Sequence, residues 1–121
     1  MKARAVVLAL VLAAAGGCGT RIDSQRLPIG GPCNSSGQCG TGKFFCDTDH
    51  PNGYCKADCH TDTDCPTGSV CAGALTTAPG ECHKKCTPAT VATDCRTAEG
   101  YVCKDMPTDA SGDYCDVPEA T

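Results

Sequence analysis

The sequence has no tryptophan, and only two phenylalanines and three tyrosines among its 121 residues. From Cys33 onward isoleucine is missing as well, and the larger apolar side chains reduce to Phe44, Phe45, Tyr54, Tyr101, Tyr114, Leu75, Met106 and a few valines. A chain this short buries too little surface to offset backbone entropy comfortably even with a full core, and this one lacks the material for one. No apolar run exceeds the eleven residues Ala5 to Ala15, which excludes a conventional membrane-spanning helix of roughly 20. There is no C-x-x-C, G-x-S-x-G or H-E-x-x-H pattern and no phosphate-cradling glycine loop, so neither thiol redox, hydrolase nor nucleotide chemistry has a foothold. Basic residues are scarce too: from Cys33 to Thr121 six face thirteen acidic ones, a balance that argues against nucleic acid and against an electrostatic grip on anionic lipid. The expectation is a non-enzyme without a cofactor.

What the sequence has is cysteine, thirteen in all. An odd number in an exported chain implies a spare thiol or one committed elsewhere. Cys18 stands apart, because it closes a segment with the marks of an export signal. Lys2 and Arg4 precede the apolar run, and Gly16 and Gly17 lead into the cysteine. Small residues ending in cysteine after such a run resemble the lipobox of bacterial lipoproteins, with Ala15 where that family prefers leucine. The resemblance implies cleavage after residue 17, a lipid on the Cys18 sulfur, and anchorage in the cell envelope through that lipid. Gly19, where inner-membrane retention would call for aspartate, favours the outer membrane or cell surface by the same resemblance. The alternative is cleavage after Ala13-Ala14-Ala15, which releases a secreted protein with an unpaired thiol. Residues 18–32, polar and without a period, read as a flexible tether of about 20 Å root-mean-square span.

The remaining twelve cysteines fall into three groups of four: Cys33, Cys39, Cys46 and Cys55; Cys59, Cys65, Cys71 and Cys82; Cys86, Cys95, Cys103 and Cys115. First cysteines recur every 26–27 residues. A glycine follows the second cysteine (Gly42, Gly68, Gly100), an apolar residue abuts the third (Phe45, Val70, Val102), and another glycine precedes the fourth (Gly53, Gly80, Gly112). The fold class expected is a small disulfide-rich protein of three tandem four-cysteine modules, 33–55, 59–82 and 86–115, with a tail from 116 to 121. Each module reads as a turn segment plus a short β-hairpin with little helix: KFFC, GSVC and GYVC have strand character, and the loops beyond them end in turn chemistry. The Cys59–Cys71 pattern C-x-x-D-x-D-C-P-x-G-x-x-C resembles cysteine-rich repeats such as the Dickkopf N-terminal domain, which implies an extracellular binding module without catalysis.

Four cysteines allow three pairings. Joining first to second and third to fourth staples the hairpin but leaves the leading segment an isolated ring. Joining first to third and second to fourth ties that segment to both strands. The interleaved pairing is therefore expected, with the short junctions Lys56–Asp58 and His83–Lys85 as the places where neighbouring modules could exchange partners. Each bridge is nominally worth ~3 kcal/mol.

Other candidates are weaker. His50, His60 and His83 occupy unrelated positions, which points to solvent-exposed side chains rather than zinc ligands. Asp47, Asp49, Asn52 and Gly53, with Asp58, Asp62 and Asp64 nearby, have some of the character of a calcium loop. However, proline stands at the fifth position and glycine at the seventh, which suits turn formation better. The span Ala72–Glu81 with Leu75 is a loop that an inhibitor or toxin-like scaffold could present. The function read from the sequence is a lipid-anchored binding or structural module for an extracytoplasmic protein or glycan, with a secreted inhibitor as the alternative.

Overall fold

The computed structural model describes residues 22–106 and 113–118. The leader, Cys18 and the Ser111-Gly112 turn lie outside the described residues. In chain order the elements are β1 (Ser24–Gln25), the helical turn α1 (Ser36–Cys39), β2 (Gly40–Thr41), β3 (Phe44–Asp47) and β4 (Tyr54–Cys59). There follow β5 (Ser69–Ala72), β6 (Gly80–Cys86), the helical turn α2 (Val91–Asp94), β7 (Val102–Lys104) and β8 (Asp113–Asp116). The molecule is a small disulfide-rich protein of short strands and single helical turns.

Each copy is a leading turn followed by an antiparallel hairpin: β3 with β4, β5 with β6, β7 with β8. The third and fourth cysteines stand directly opposite one another in every hairpin (Cys46 and Cys55, Cys71 and Cys82, Cys103 and Cys115). Opposed residues share a face of the sheet, and there the two cysteines of the leading turn meet them. The bridges are Cys33–Cys46, Cys39–Cys55, Cys59–Cys71, Cys65–Cys82, Cys86–Cys103 and Cys95–Cys115, first to third and second to fourth in each copy. The recurring glycine after the second cysteine has a backbone reason. Gly42, Gly68 and Gly100 all adopt left-handed φ, between 69° and 96°, where other residues are strained.

The junctions between copies are not joints. Lys56–Asp58 lies inside β4 and His83–Lys85 inside β6, so the strand that carries one copy's fourth cysteine runs on to the next copy's first. Four residue steps of strand hold Cys55 and Cys59 about 13 Å apart, well beyond the 4.4–6.8 Å that a bridge requires, which excludes a bridge between them. These shared strands also pair with each other. Asp58 and Cys59 lie opposite Glu81 and Gly80, and Lys85 and Cys86 opposite Tyr114 and Asp113, giving the sheet order β3-β4-β6-β8-β7 with β5 beside β6.

The tether reading fails for residues 22–32. β1 pairs with β2, the Arg26 amide donates to the Cys39 carbonyl at 2.9 Å, and Ile29 is only 5% exposed. The Cys55 amide donates to Gly31 O at 3.0 Å and the Cys33 amide to Asn52 O at 3.1 Å. Gly31 to Cys33 thus lies on the start of β4 much as β4's end lies on β6. Ile29 supplies apolar bulk that the head itself lacks, which is why the segment docks. The head also runs past Cys115, because Asp116 belongs to β8, opposite Val102, and Val117 packs against the core, while the expected tail from 119 onward lies outside the described residues. That core consists of half-cystines with Ile29, Phe44, Tyr54, Ala57 and Tyr101.

Candidate functional site

The three copies do not form an open row. The strand ladder brings the residues flanking the fourth cysteines onto one face: Tyr54 and Lys56, Glu81 and His83, Tyr114 and Asp116. The 48–53 loop of the first copy and the Thr97–Glu99 turn of the third close over this face, so the first and third copies touch directly. The result is a polar hub where a larger protein would have an apolar core.

Tyr54 sits at its centre, 2% exposed. Its hydroxyl accepts from the Lys84 amide at 3.1 Å and donates to the Cys115 carbonyl at 3.3 Å, joining all three copies. His83 Nδ1–H donates to the same carbonyl at 2.8 Å. The rings of His83 and Tyr101 lie 5.4 Å and 5.2 Å from Tyr54. Arg96 stacks 4.6 Å over Tyr101 and donates to its hydroxyl at 2.7 Å, while that hydroxyl donates to Pro51 O at 2.8 Å. Lys56, nearly buried, pairs with Asp47 at 2.7 Å and with Glu81 at 3.2 Å. His50 Nε2–H donates to Asp116 at 2.8 Å, and its Nδ1 lies 3.0 Å from Asp47 without hydrogen-bond alignment.

The electrostatics follow from this packing. Burial, aided by the nearby Lys56 cation, pushes His83 below its ordinary 6.5, so it sits neutral in the hub. Burial raises the Asp47 carboxyl, but Lys56, His50 and the Asp49 amide outweigh it and hold the group below the usual 3.8. The Asp116 carboxyl is likewise lowered, its burial overcome by His50, the Val117 amide, His83 and Lys104. Burial drives the Tyr54 phenol far above its ordinary value. Positive and negative groups within the hub therefore answer one another, and none of these side chains is a nucleophile poised by a free base.

The histidines depart from expectation. His60 is exposed, but His50 is partly covered and His83 is buried, because the closing of the three copies encloses both. Sequence alone carried no signal for Lys56 or His83 in the interior, since other copies help enclose them: Glu81 of the second copy pairs with Lys56, and Tyr54 of the first and Tyr114 of the third flank His83. The cysteine sulfurs come together in trios, such as Cys33, Cys39 and Cys46, within 4.8 Å of one another. All are half-cystines, which cannot offer thiolates to a metal. Three of the acidic calcium candidates accept hydrogen bonds from backbone amides. Asp47 Oδ1 accepts from the Asp49 amide, Asp62 Oδ1 from the Cys71 amide, and Asp64 Oδ2 from the amides of His60 and Thr61, which hold the Asp64 carboxyl below its ordinary value.

Two surface features remain. Leu75, 66% exposed, opens a tight turn in which the Leu75 amide donates to Ala78 O at 2.9 Å and the Ala78 amide to Leu75 O at 3.4 Å. Beside the hub lies a shallow depression of about 540 Å³, lined by Asn34, Gln38, Thr48, His50 and Asn52 with Pro32 and Gly53. Its polar groups are amides, a hydroxyl and an imidazole. No family model matches the sequence, and no curated protein and no solved structure is detectably similar to it. Among the described residues no helix is long and apolar enough to cross a membrane. Six disulfides fit an exported or extracellular protein.

Proposed function

We propose that the chain is an exported lipoprotein, acylated on Cys18, whose cysteine-rich head is a non-catalytic module that binds an extracytoplasmic glycan or protein. The observation that carries this reading is the division of labour between hub and surface. The charged groups of the interior pair with one another and hold the three copies together. The depression of Asn34, Gln38, Thr48 and Asn52 beside them presents uncharged donors and acceptors on a scaffold with bridges on every side. Such groups suit the hydroxyls and amides of a sugar or a polar loop, and rigidity lowers the entropy lost on binding. Leu75 is less suited to the inhibitor role. A protease takes its inhibitor as an extended strand, and the bond after Leu75 lies within a hydrogen-bonded turn.

Two measurements test the reading. In detergent phase partition the wild type enters the detergent phase and Cys18→Ser stays aqueous; equal partition of both defeats the lipid anchor. Purified head is then titrated onto cell envelopes, intact or stripped of protein or glycan. Binding is saturable and falls at least tenfold in Asn34→Ala/Thr48→Ala; an unchanged titration removes the depression as the binding surface.

A further inference from the structure

The edge formed by β1, α1 and β2 is where the leader joins the head, and its chemistry differs from that of the rest of the molecule. We propose that this edge lies on the bilayer, so that the protein is an oriented membrane-surface module rather than a head tumbling on a leash. The proposal rests on acylation of Cys18.

Length comes first. Because residues 22–33 are docked, only four residue steps lie between Cys18 and Ile22, where the docked segment starts. Fully extended they reach about 14 Å, roughly the radius of gyration of a 100-residue domain and half its width. A head held so closely cannot present an arbitrary face.

The attachment is firm. Ser24 pairs with Thr41 and Gln25 with Gly40, Asp23 Oδ1 accepts from the Lys43 amide at 2.8 Å, and Thr41 Oγ1 donates to Ile22 O at 3.0 Å. A side chain on Gly40 would meet the Ser24 carbonyl oxygen at 2.0 Å, so the two backbones are in intimate contact.

Charge points the same way. Residues 22–42 carry one cation, Arg26, against one anion, Asp23, whereas residues 43–121 carry thirteen acidic groups against six basic. An anionic bilayer repels the acidic bulk of the head and tolerates this edge, within a Debye length of about 10 Å. Ile22, 75% exposed, marks the spot where leash meets head and offers the interface an apolar side chain.

The absence of tryptophan gives a clean test. Single tryptophans are introduced into the acylated protein at Gly37 or Gln25 on the edge, and at Thr77 or Ala98 in the second and third copies. Gly37 has open space where a side chain would begin, and Gln25 is exposed. Each variant is reconstituted into phosphatidylglycerol–phosphatidylethanolamine vesicles with or without lipid brominated near the headgroup, and titrated with acrylamide. The expected result is that Gly37→Trp and Gln25→Trp lose the greater part of their emission to brominated lipid, while Thr77→Trp and Ala98→Trp keep theirs and are quenched by acrylamide. Equal lipid quenching at all four sites, or acrylamide quenching at the edge without lipid quenching, overturns the proposal. An edge shielded from both quenchers is covered by protein, a second copy of the chain, and overturns it too. If the wild type does not float with the vesicles at all, the acylation reading fails first, and this proposal fails with it.

Discussion

Replacing Tyr54 by phenylalanine removes one oxygen atom from the point where all three copies meet. The ring, its burial and its contacts with His83 and Tyr101 are kept, so the transfer of apolar surface is unchanged. Two hydrogen bonds are lost. The Lys84 amide, 3.1 Å away, is left without its acceptor, whereas the Cys115 carbonyl keeps the shorter bond from His83 Nδ1. The cost is therefore close to that of one stranded donor plus a long, weak bond, about 1.5 kcal/mol. In a domain of this size 1 kcal/mol shifts the melting temperature by roughly 4–8 °C, so the variant should melt about 6–12 °C lower with its bridges intact. Thermal circular dichroism at neutral pH measures the shift. Amide hydrogen exchange locates it, with protection falling at Lys84 in the second copy and around Cys115 in the third, not only in the copy that was mutated. Tyr114→Phe is the matched control, because it removes the same oxygen and keeps the ring that stands T-shaped to His83, and it should stay within about 0.5 kcal/mol of wild type. A melting temperature for Tyr54→Phe equal to the control's, or loss of protection confined to the first copy, would refute the closed hub.

Ile29→Ala should cost about 2–4 kcal/mol by guanidinium titration, the range for truncating a buried isoleucine, although a true tether would register no change. Gly53→Ala should be at least as severe: its φ is +71° and the added carbon would sit 1.8 Å from the Cys33 carbonyl oxygen, so a variant that folds and melts like wild type contradicts the docked segment. Acidification should lower the melting temperature in two windows. His83 is held neutral, so its contribution is complete above about pH 6.5 and declines as the pH falls from there; Asp47 and Asp116 are held ionised, so theirs is complete above about pH 4 and is lost as the pH falls through their lowered values. Asp116→Asn should flatten the lower window and leave the upper one in place, which a series of melts from pH 8 to pH 2 will show.

Much of each copy was legible in the chain. Strand residues bracket the third cysteine where Phe45, Val70 and Val102 suggest them, and turn glycines stand at left-handed φ. These features are fixed by residues close in sequence. What lay between copies was not legible. Lys56-Ala57-Asp58 and His83-Lys84-Lys85 have low strand propensity; Lys56 and Ala57 are held by Phe45 and Phe44 of their own hairpin, His83 and Lys84 by Val70 and Ser69, and the strands run on because the next copy supplies Glu81 opposite Asp58 and Tyr114 opposite Lys85. The Ile22–Pro32 segment has no period of its own, since it follows the shape of the first copy rather than imposing one. Lys56 and His83 look like surface residues until Asp47 and Glu81 are seen around the one and Tyr54 and Tyr114 around the other.

The bridges and the hub divide the stabilisation between them. All six disulfides close loops within a copy, so they limit how far each copy can unfold and place no restraint on how one copy sits against another. Relative placement falls to the shared strands, which fix neighbours, and to the contacts of His50, Asn52 and Pro51 with Asp116, Glu99 and Tyr101, which bring the first copy back against the third. An open array would present each loop on its own. In the closed one, the depression at Asn34 and Thr48 shares His50 and Asn52 with the hub, so its shape depends on residues of the third copy, some fifty positions further along the chain. A ligand that fits the depression therefore also stabilises the junction between the first and third copies, and loosening that junction weakens the ligand's hold by the same free energy.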